Sequence, residues 1–423
     1  MNFSPAIVLV LLLTIISCRT TESNLRSEST STNLNPIPTV EKFEIVPEDE
    51  AAYTSKMIQA MVAKTKKIDK FGYAPRASAQ KTHGCVLADF EVVNQASISP
   101  SDAVHFLGLF QPGQKYKSWI RFSNSKGLSA GANGYDYDHD SVPDGRNMSI
   151  KVMNIPNRGE NDQFLKKIST PDEWEQMEKN TFDFELINYP AFFSSSMKNM
   201  VELSFTMPAR ESFDSDNEFQ WALGVWFGNF KKNIEIQEAS RSDGSLSPFD
   251  NTYHSMTPYL LGEEAVKYSV EPTVCGSNDS RAVTKMTELE SKERDYLRQS
   301  MREKMEEGDA CFGVNIHVRR DGTLPIEDPT VIWDEKRAPK IRVAHIRIPK
   351  QTFDSDKQMN FCENLSYTIW NTLPEHQPLG GINRARLHIY KVVSSHRIMK
   401  ENGNQRFEPT GENDVERFPV PLP

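Results

Sequence analysis

The sequence predicts an α+β fold: an antiparallel β-barrel or sandwich with helical additions, ending in a helix that carries the chemistry. Three observations predict it. From about residue 83 the hydrophobic period is two, in CVLADFEVV, YKSWIRFSNS, NMSIKVMNI, VKYSVEP, GVNIHVRR and IRVAHIRIP. Long polar or helical stretches separate these strand-length segments, as in barrels and sandwiches with insertions. Near the C-terminus the period returns to that of a helix, bracketed by Gly380-Gly381 and Gly403.

Taken in order, the chain opens with an apolar run, AIVLVLLLTIIS, over residues 6–17. Twelve residues are too few to cross a bilayer as a helix but suit the apolar core of a signal peptide. Ile15-Ile16-Ser17-Cys18 resembles a bacterial lipobox. Residues 1–17 are therefore expected to be a removable signal, with Cys18 acylated and anchoring an exported protein to a membrane of the bacterial envelope. The n-region MNFSP lacks Lys and Arg, a departure from the usual signal pattern. Residues 18–45 begin Ser/Thr/Asn-rich and read as a flexible tether, leaving 46–423 as the folded domain.

Within that domain, EDEAAYTSKMIQAMVAKTKKIDKF reads as a helix. Met57, Ile58, Met61 and Val62 form its apolar stripe, with acids early and lysines late as the helix dipole favours. In YKSWIRFS, Tyr116, Ser118, Ile120 and Phe122 face one way and Trp119, Arg121 and Ser123 the other. Further helical patterns lie around 214–232, 285–307, 353–371 and 383–400, the last with Asn383 as a plausible N-cap.

Composition narrows the function. The net charge of −9 argues against a phosphate-neutralising nucleic-acid binder. A mean hydropathy of −0.56 excludes a multi-pass membrane protein. Five cysteines in 423 residues are too few for a disulfide-built fold. Cys85, Cys275, Cys311 and Cys362 could pair in any of three ways or stay as thiols. Asp136, Asp138 and Asp140 alternate like a calcium loop. Ser141 stands where glycine is required and Asn147 where glutamate is, so a solvated acidic loop is the better reading.

The informative segment runs from Gly380 to Arg397. At about 100° per residue, Tyr390 lies roughly 40° round the helix from Arg386 and Arg397 roughly 20° from it. All three share one stripe. An arginine one turn before a tyrosine can bring its guanidinium to the phenol oxygen and favour the phenolate, a hard ligand for ferric iron. Alone, Arg-x-x-x-Tyr is a weak pattern in a chain with twelve tyrosines.

Its company strengthens it. The chain resembles the catalase superfamily, including its smaller members and the allene oxide synthases. Arg386, Tyr390 and Arg397 match that family's proximal helix. Phe90-Glu91-Val92 resembles its first barrel strand, and Ile120-Arg121-Phe122-Ser123 its "RFS" strand. Asp144-Gly145-Arg146 with Ile150-Lys151 resembles its "D-x-R-G-F-A-x-K" segment. Asn188-Tyr189-Pro190-Ala191-Phe192-Phe193 resembles "N-T-P-x-F-F", and Asp328-Pro329-Thr330 through Trp333 a late "D-x-T-x-x-W". The matches are collinear over about residues 70–400. The resemblance implies haem b on an eight-stranded antiparallel barrel, with Tyr390 as proximal iron ligand and Arg386 keeping it anionic. It also implies Arg76, Arg121 and Arg397 as cations around the haem carboxylates.

The resemblance weakens on the distal side. In the frame "R-x-x-H-x-K", Arg76-Ala77-Ser78-Ala79-Gln80-Lys81 has Ala79 in the histidine position. Ile187 aligns with the distal asparagine. His83 and Asn188 are the substitutes at hand for catalytic roles; the alternatives are a strand-entry histidine and a turn-forming asparagine. The expected function is an exported haem oxidoreductase acting on hydrogen peroxide or organic hydroperoxides, peroxidase-like with impaired catalase turnover. The alternative is a haem-binding lipoprotein without turnover.

Overall fold

The computed structural model describes residues 34, 37–66, 72–125, 139–142, 144–156, 178–206, 230–241, 246–283 and 293–417. Nine strands alternate with six α-helices among them. The strands are β1 (Thr82–Val92), β2 (Lys115–Asn124), β3 (Arg146–Val152), β4 (Phe182–Ile187), β5 (Tyr253–His254), β6 (Tyr259–Leu261), β7 (Glu264–Thr273), β8 (Ala310–Val318) and β9 (Lys340–Ile348). The helices are α1 (Glu50–Lys64), α2 (Met197–Thr206), α3 (Lys231–Ser240), α4 (Tyr296–Glu307), α5 (Asp356–Asn364) and α6 (Gly381–Ser395).

The sheet order β5-β4-β3-β2-β1-β9-β8-β7, with β5 also paired to β7, closes an antiparallel barrel of eight strands. The short β6 hairpins onto β7. Of the two architectures that the sequence allowed, the barrel is the one adopted. Closure follows from β5, which pairs with β4 on one side and β7 on the other, so the eight strands of the barrel leave no edge among themselves. Alternation fills the interior: Phe90, Ile120, Phe122, Ile150, Phe184 and Val314 are fully or almost fully buried in one core. The opposite parity points outward.

That outward face supplies the floor of the site. Cys85, Arg121, Ser149 and Glu185 stand opposite one another across β1, β2, β3 and β4, forming one row. Helix α6 crosses above it. Its N-cap is Gly380 rather than Asn383, which lies inside the first turn and donates through Nδ2 to Pro258 O at 2.9 Å. Gly380 has φ 87°, and a Cβ there would lie 2.7 Å from Ile326 O, so only glycine permits this entry. A π-helical turn, His396–Glu401, continues α6 and carries Arg397.

Several sequence expectations need adjusting. Strand β4 adds to the alternating segments read from the sequence; FDFELI is short and ends in the polar turn before Pro190. The helix expected around 214–232 lies almost wholly outside the described residues, as do Asp136 and Asp138. Asp140 is not solvated as expected: it is buried and ion-paired to Lys81 at 2.8 Å. The signal segment, Cys18 and most of the tether also lie outside the described residues. Residues 37–45 of that tether are docked: Ile37 packs on the barrel core and Glu44 is buried against α6. Two disulfides, Cys85–Cys362 and Cys275–Cys311, settle the pairing among three possibilities.

Candidate functional site

A cavity of about 410 Å³ lies between the barrel's outer face and α6, within the size range of small-molecule sites. Its floor includes Arg121, Asn147, Ser149, Glu185 and Ile187; its roof is Arg386, Ile389, Tyr390, Val393 and Arg397. Arg76 to Ala79, Ala191 to Phe193 and Leu365 to Tyr367 wall it. The three α6 residues of the sequence stripe therefore meet Arg76 and Arg121 in one cavity.

Tyr390 Oη donates a 2.7 Å hydrogen bond to Glu185 Oε2 on the floor. Burial drives the phenol's pKa up; Arg386 pulls the other way, and the Glu185 carboxylate adds to the rise. Without an iron beside it, the phenol keeps its proton and donates, because burial first and the facing carboxylate after it disfavour the phenolate. Burial also raises the Glu185 carboxyl above its usual range, against the opposing pull of Tyr390's hydrogen bond and of Arg386 and Arg121.

The arginines differ in how well they are matched. One carboxylate, Glu363 on α5, holds both Arg76 and Arg397, the latter at 3.3 Å to Nη1. The Cys85–Cys362 disulfide ties the neighbouring residue of α5 to β1, so Glu363 is fixed from two sides. Arg121 donates to Leu365 O at 3.1 Å and stacks 4.4 Å over the Tyr367 ring. Its buried Nε has no partner among the described residues. Burial, then Arg76 nearby, pull the Arg121 pKa down to about 10. Arg386 makes only long contacts, 3.4 Å to Thr257 Oγ1 and 3.3 Å to Asn383 Oδ1, and lies 5.1 Å over the Phe192 ring. Among the described residues neither Arg121 nor Arg386 has an ion-pair partner. A buried guanidinium with an orphaned N–H fits an anionic ligand.

His83 and Asn188 stand apart from this cavity. His83 is buried, its Nε2 2.9 Å from Asn124 Oδ1, and burial pulls its pKa down to about 4. Asn188 uses Oδ1 to accept from Arg146 N at 2.9 Å, closing the end of β3 against β4. His83 thus pairs with a side chain and leaves Nδ1 without a partner among the described residues, whereas Asn188 serves the backbone at the strand end. Ala79 and Ile187 do line the cavity, so the positions aligned with distal histidine and asparagine present only apolar groups there. Glu185 and Glu363 escaped sequence reasoning. In FDFELI an acid between apolar residues looks like an ordinary solvent-facing position. Its one distinguishing mark is that Ile187, two residues on, shares its face.

No protein-family model matches the sequence, and no curated relative does. Solved structures do. A fungal catalase superposes with TM-score 0.57 at 15% identity, covering 89% of this chain and 69% of its own. A bacterial catalase gives TM-score 0.56 at 14% identity, covering 90% and 67%. Catalase A from Saccharomyces cerevisiae gives 0.55 at 16% identity, covering 88% and 72%. The chain has the catalase-like fold: an antiparallel barrel with helical additions. At these identities the likeness speaks for the fold alone.

Proposed function

We propose that this chain binds haem b in the cavity beneath α6, where Tyr390 would hold the iron. The observation that carries the proposal is a roof tyrosine facing an arginine-lined cavity on a catalase-like barrel. The residues present fit the group: Arg121 offers an orphaned N–H to a carboxylate, and Arg76 and Arg397 add positive charge at the rim. The Tyr390–Glu185 contact is the one that must open. The cofactor would supply redox chemistry at iron; the chain supplies ligation, charge balance and exclusion of water.

Peroxide disproportionation needs a group that moves a proton over the iron, and losing such a group costs about 10²–10⁴-fold. Ala79 and Ile187 supply none, His83 and Asn188 do not line the cavity, and the Glu185 carboxyl is engaged by Tyr390. Hydrogen peroxide or organic hydroperoxides are therefore expected to react in slow, peroxidase-like fashion, without catalase-like release of oxygen. The Tyr390–Glu185 contact favours a second reading, haem binding without turnover. Two disulfides support an oxidising compartment, in keeping with export and a lipid anchor at Cys18.

The test is to purify residues 19–423 with ferric haem supplied and record the visible spectrum. A stoichiometric haem band that Tyr390→Phe abolishes is expected. Failure of the intact protein to take up haem overturns the proposal. Oxygen evolution from peroxide at a rate typical of true catalases would overturn the impaired-turnover part.

A further inference from the structure

We propose that Glu185 is a second oxygen ligand to the iron, facing Tyr390 from the barrel floor, so that the site closes its own sixth position. This rests on the haem reading above and extends it.

Position argues first. Glu185 stands on β4 on the same face as Ile187, in the cross-strand row Arg121–Ser149–Glu185. Its carboxylate is the floor group that touches the roof tyrosine: Oε2 lies 2.7 Å from Tyr390 Oη. An iron between two oxygens needs them about 4 Å apart, twice a metal–oxygen bond of roughly 2 Å. The flexible Glu185 side chain can open the contact to that extent by changing rotamer.

Elimination argues second. Among the described residues no histidine or cysteine lines the cavity. Met61 and Met256 line it, but both pack with the apolar cluster of α6, on Tyr390's own side. The Tyr367 hydroxyl donates to Trp119 O, and Asp144 Oδ1 accepts from Gly145 N. Among the described residues Glu185 is the one that hydrogen-bonds to the oxygen that would bind iron.

Charge argues third. A carboxylate and a phenolate are both hard anionic ligands suited to a ferric ion. Arg386 and Arg121 act on Glu185 as neighbouring positive charges. Neither arginine is neutralised by an ion pair among the described residues, so the cavity can tolerate two anionic oxygens at its centre. This assignment also gives a reason for the apolar Ala79 and Ile187: a position filled by the protein itself needs no proton-moving group beside it.

The experiment compares the intact protein, Glu185→Ala and Glu185→Gln, each loaded with ferric haem. Azide is titrated while the visible and electron paramagnetic resonance spectra are followed. An internal ligand bound about 99% of the time weakens an external one roughly 100-fold, so both variants should bind azide about 100-fold more tightly than the intact protein. Their spectra before azide should shift to those of a site with an exchangeable position. Glu185→Gln keeps the side-chain volume and serves if Glu185→Ala does not fold. Equal azide affinity in the intact protein and a folded variant, with haem bound in both, overturns the ligand role alone. Absence of haem from the intact protein overturns the underlying reading as well.

Discussion

Two arginines sit two residues apart on α6, and the protein treats them oppositely. Arg384 and Arg386 are both buried, at 1% and 8% exposure. Arg384 is held by Glu44 at 2.6 Å, Glu50 at 2.7 Å and Glu327 at 3.0 Å, and these hydrogen bonds and charges overcome burial to raise its pKa. Glu44 and Glu327 also accept from Gly380 N and Gly381 N, anions at the positive end of the helix. Arg386, on another face, has only two long hydrogen bonds and a ring. The contrast separates two uses of a buried charge. A fully matched one fixes α6 on the docked residues 37–50; an under-matched one keeps hydrogen-bonding capacity facing the cavity.

Removing Arg384 should have the largest effect. Arg384→Ala strands three carboxylates and should cost about 3–5 kcal/mol in denaturant unfolding. A loss below about 1 kcal/mol would erase the distinction drawn here. Next comes the link behind Glu363. Cys85→Ser with Cys362→Ser opens a loop of 277 residues and should cost about 2–5 kcal/mol. Haem uptake should weaken with it, because Glu363 positions Arg76 and Arg397.

Arg386→Leu sharpens the comparison from the other side. Stability should change by no more than about 1 kcal/mol, since a weakly matched buried cation contributes little. Haem affinity should fall by about 10–100-fold, the usual scale for a group that orients a metal ligand. A variant that unfolds yet binds haem normally when folded would reverse the assignment.

Acid probes groups away from both arginines. Burial holds His83 at about 4 and His376 at about 3. The unfolded chain takes up protons at these histidines below about pH 6.5, and the native protein does not until lower pH. Stability is therefore fully present above about 6.5 and falls as pH drops from there, by up to about 1.4 kcal/mol per pH unit for each histidine. Urea midpoints at pH 7, 6 and 5 for the intact protein, His83→Gln and His376→Gln measure each histidine's share of the slope; a slope that neither substitution changes would show that neither histidine is buried as described.

Much of this molecule was legible locally. Period-two alternation marked β1, β2, β3, β7, β8 and β9, and the helical stripe of Arg386, Tyr390 and Arg397 placed three roof residues together, because both patterns depend on neighbours a few residues apart. Glycines 380 and 381 marked where α6 starts to within a turn. The faces of β2 were also readable, since parity alone assigns Ile120 inward and Arg121 outward.

What needed tertiary structure was everything fixed by residues distant in sequence. The closing pair of β5 and β7, the Cys85–Cys362 link, the shared use of Glu363 by Arg76 and Arg397, and the meeting of Glu185 with Tyr390 span tens to hundreds of residues. A carboxylate on an outward strand face looks solvated until a helix is laid over it. Its burial, and with it the raised carboxyl pKa and the neutral Tyr390, arises only when α6 covers the floor and water is excluded. The residues that could hold an iron thus came half from a motif and half from packing. The motif sets which side chains share a helix face; packing alone decides what that face meets.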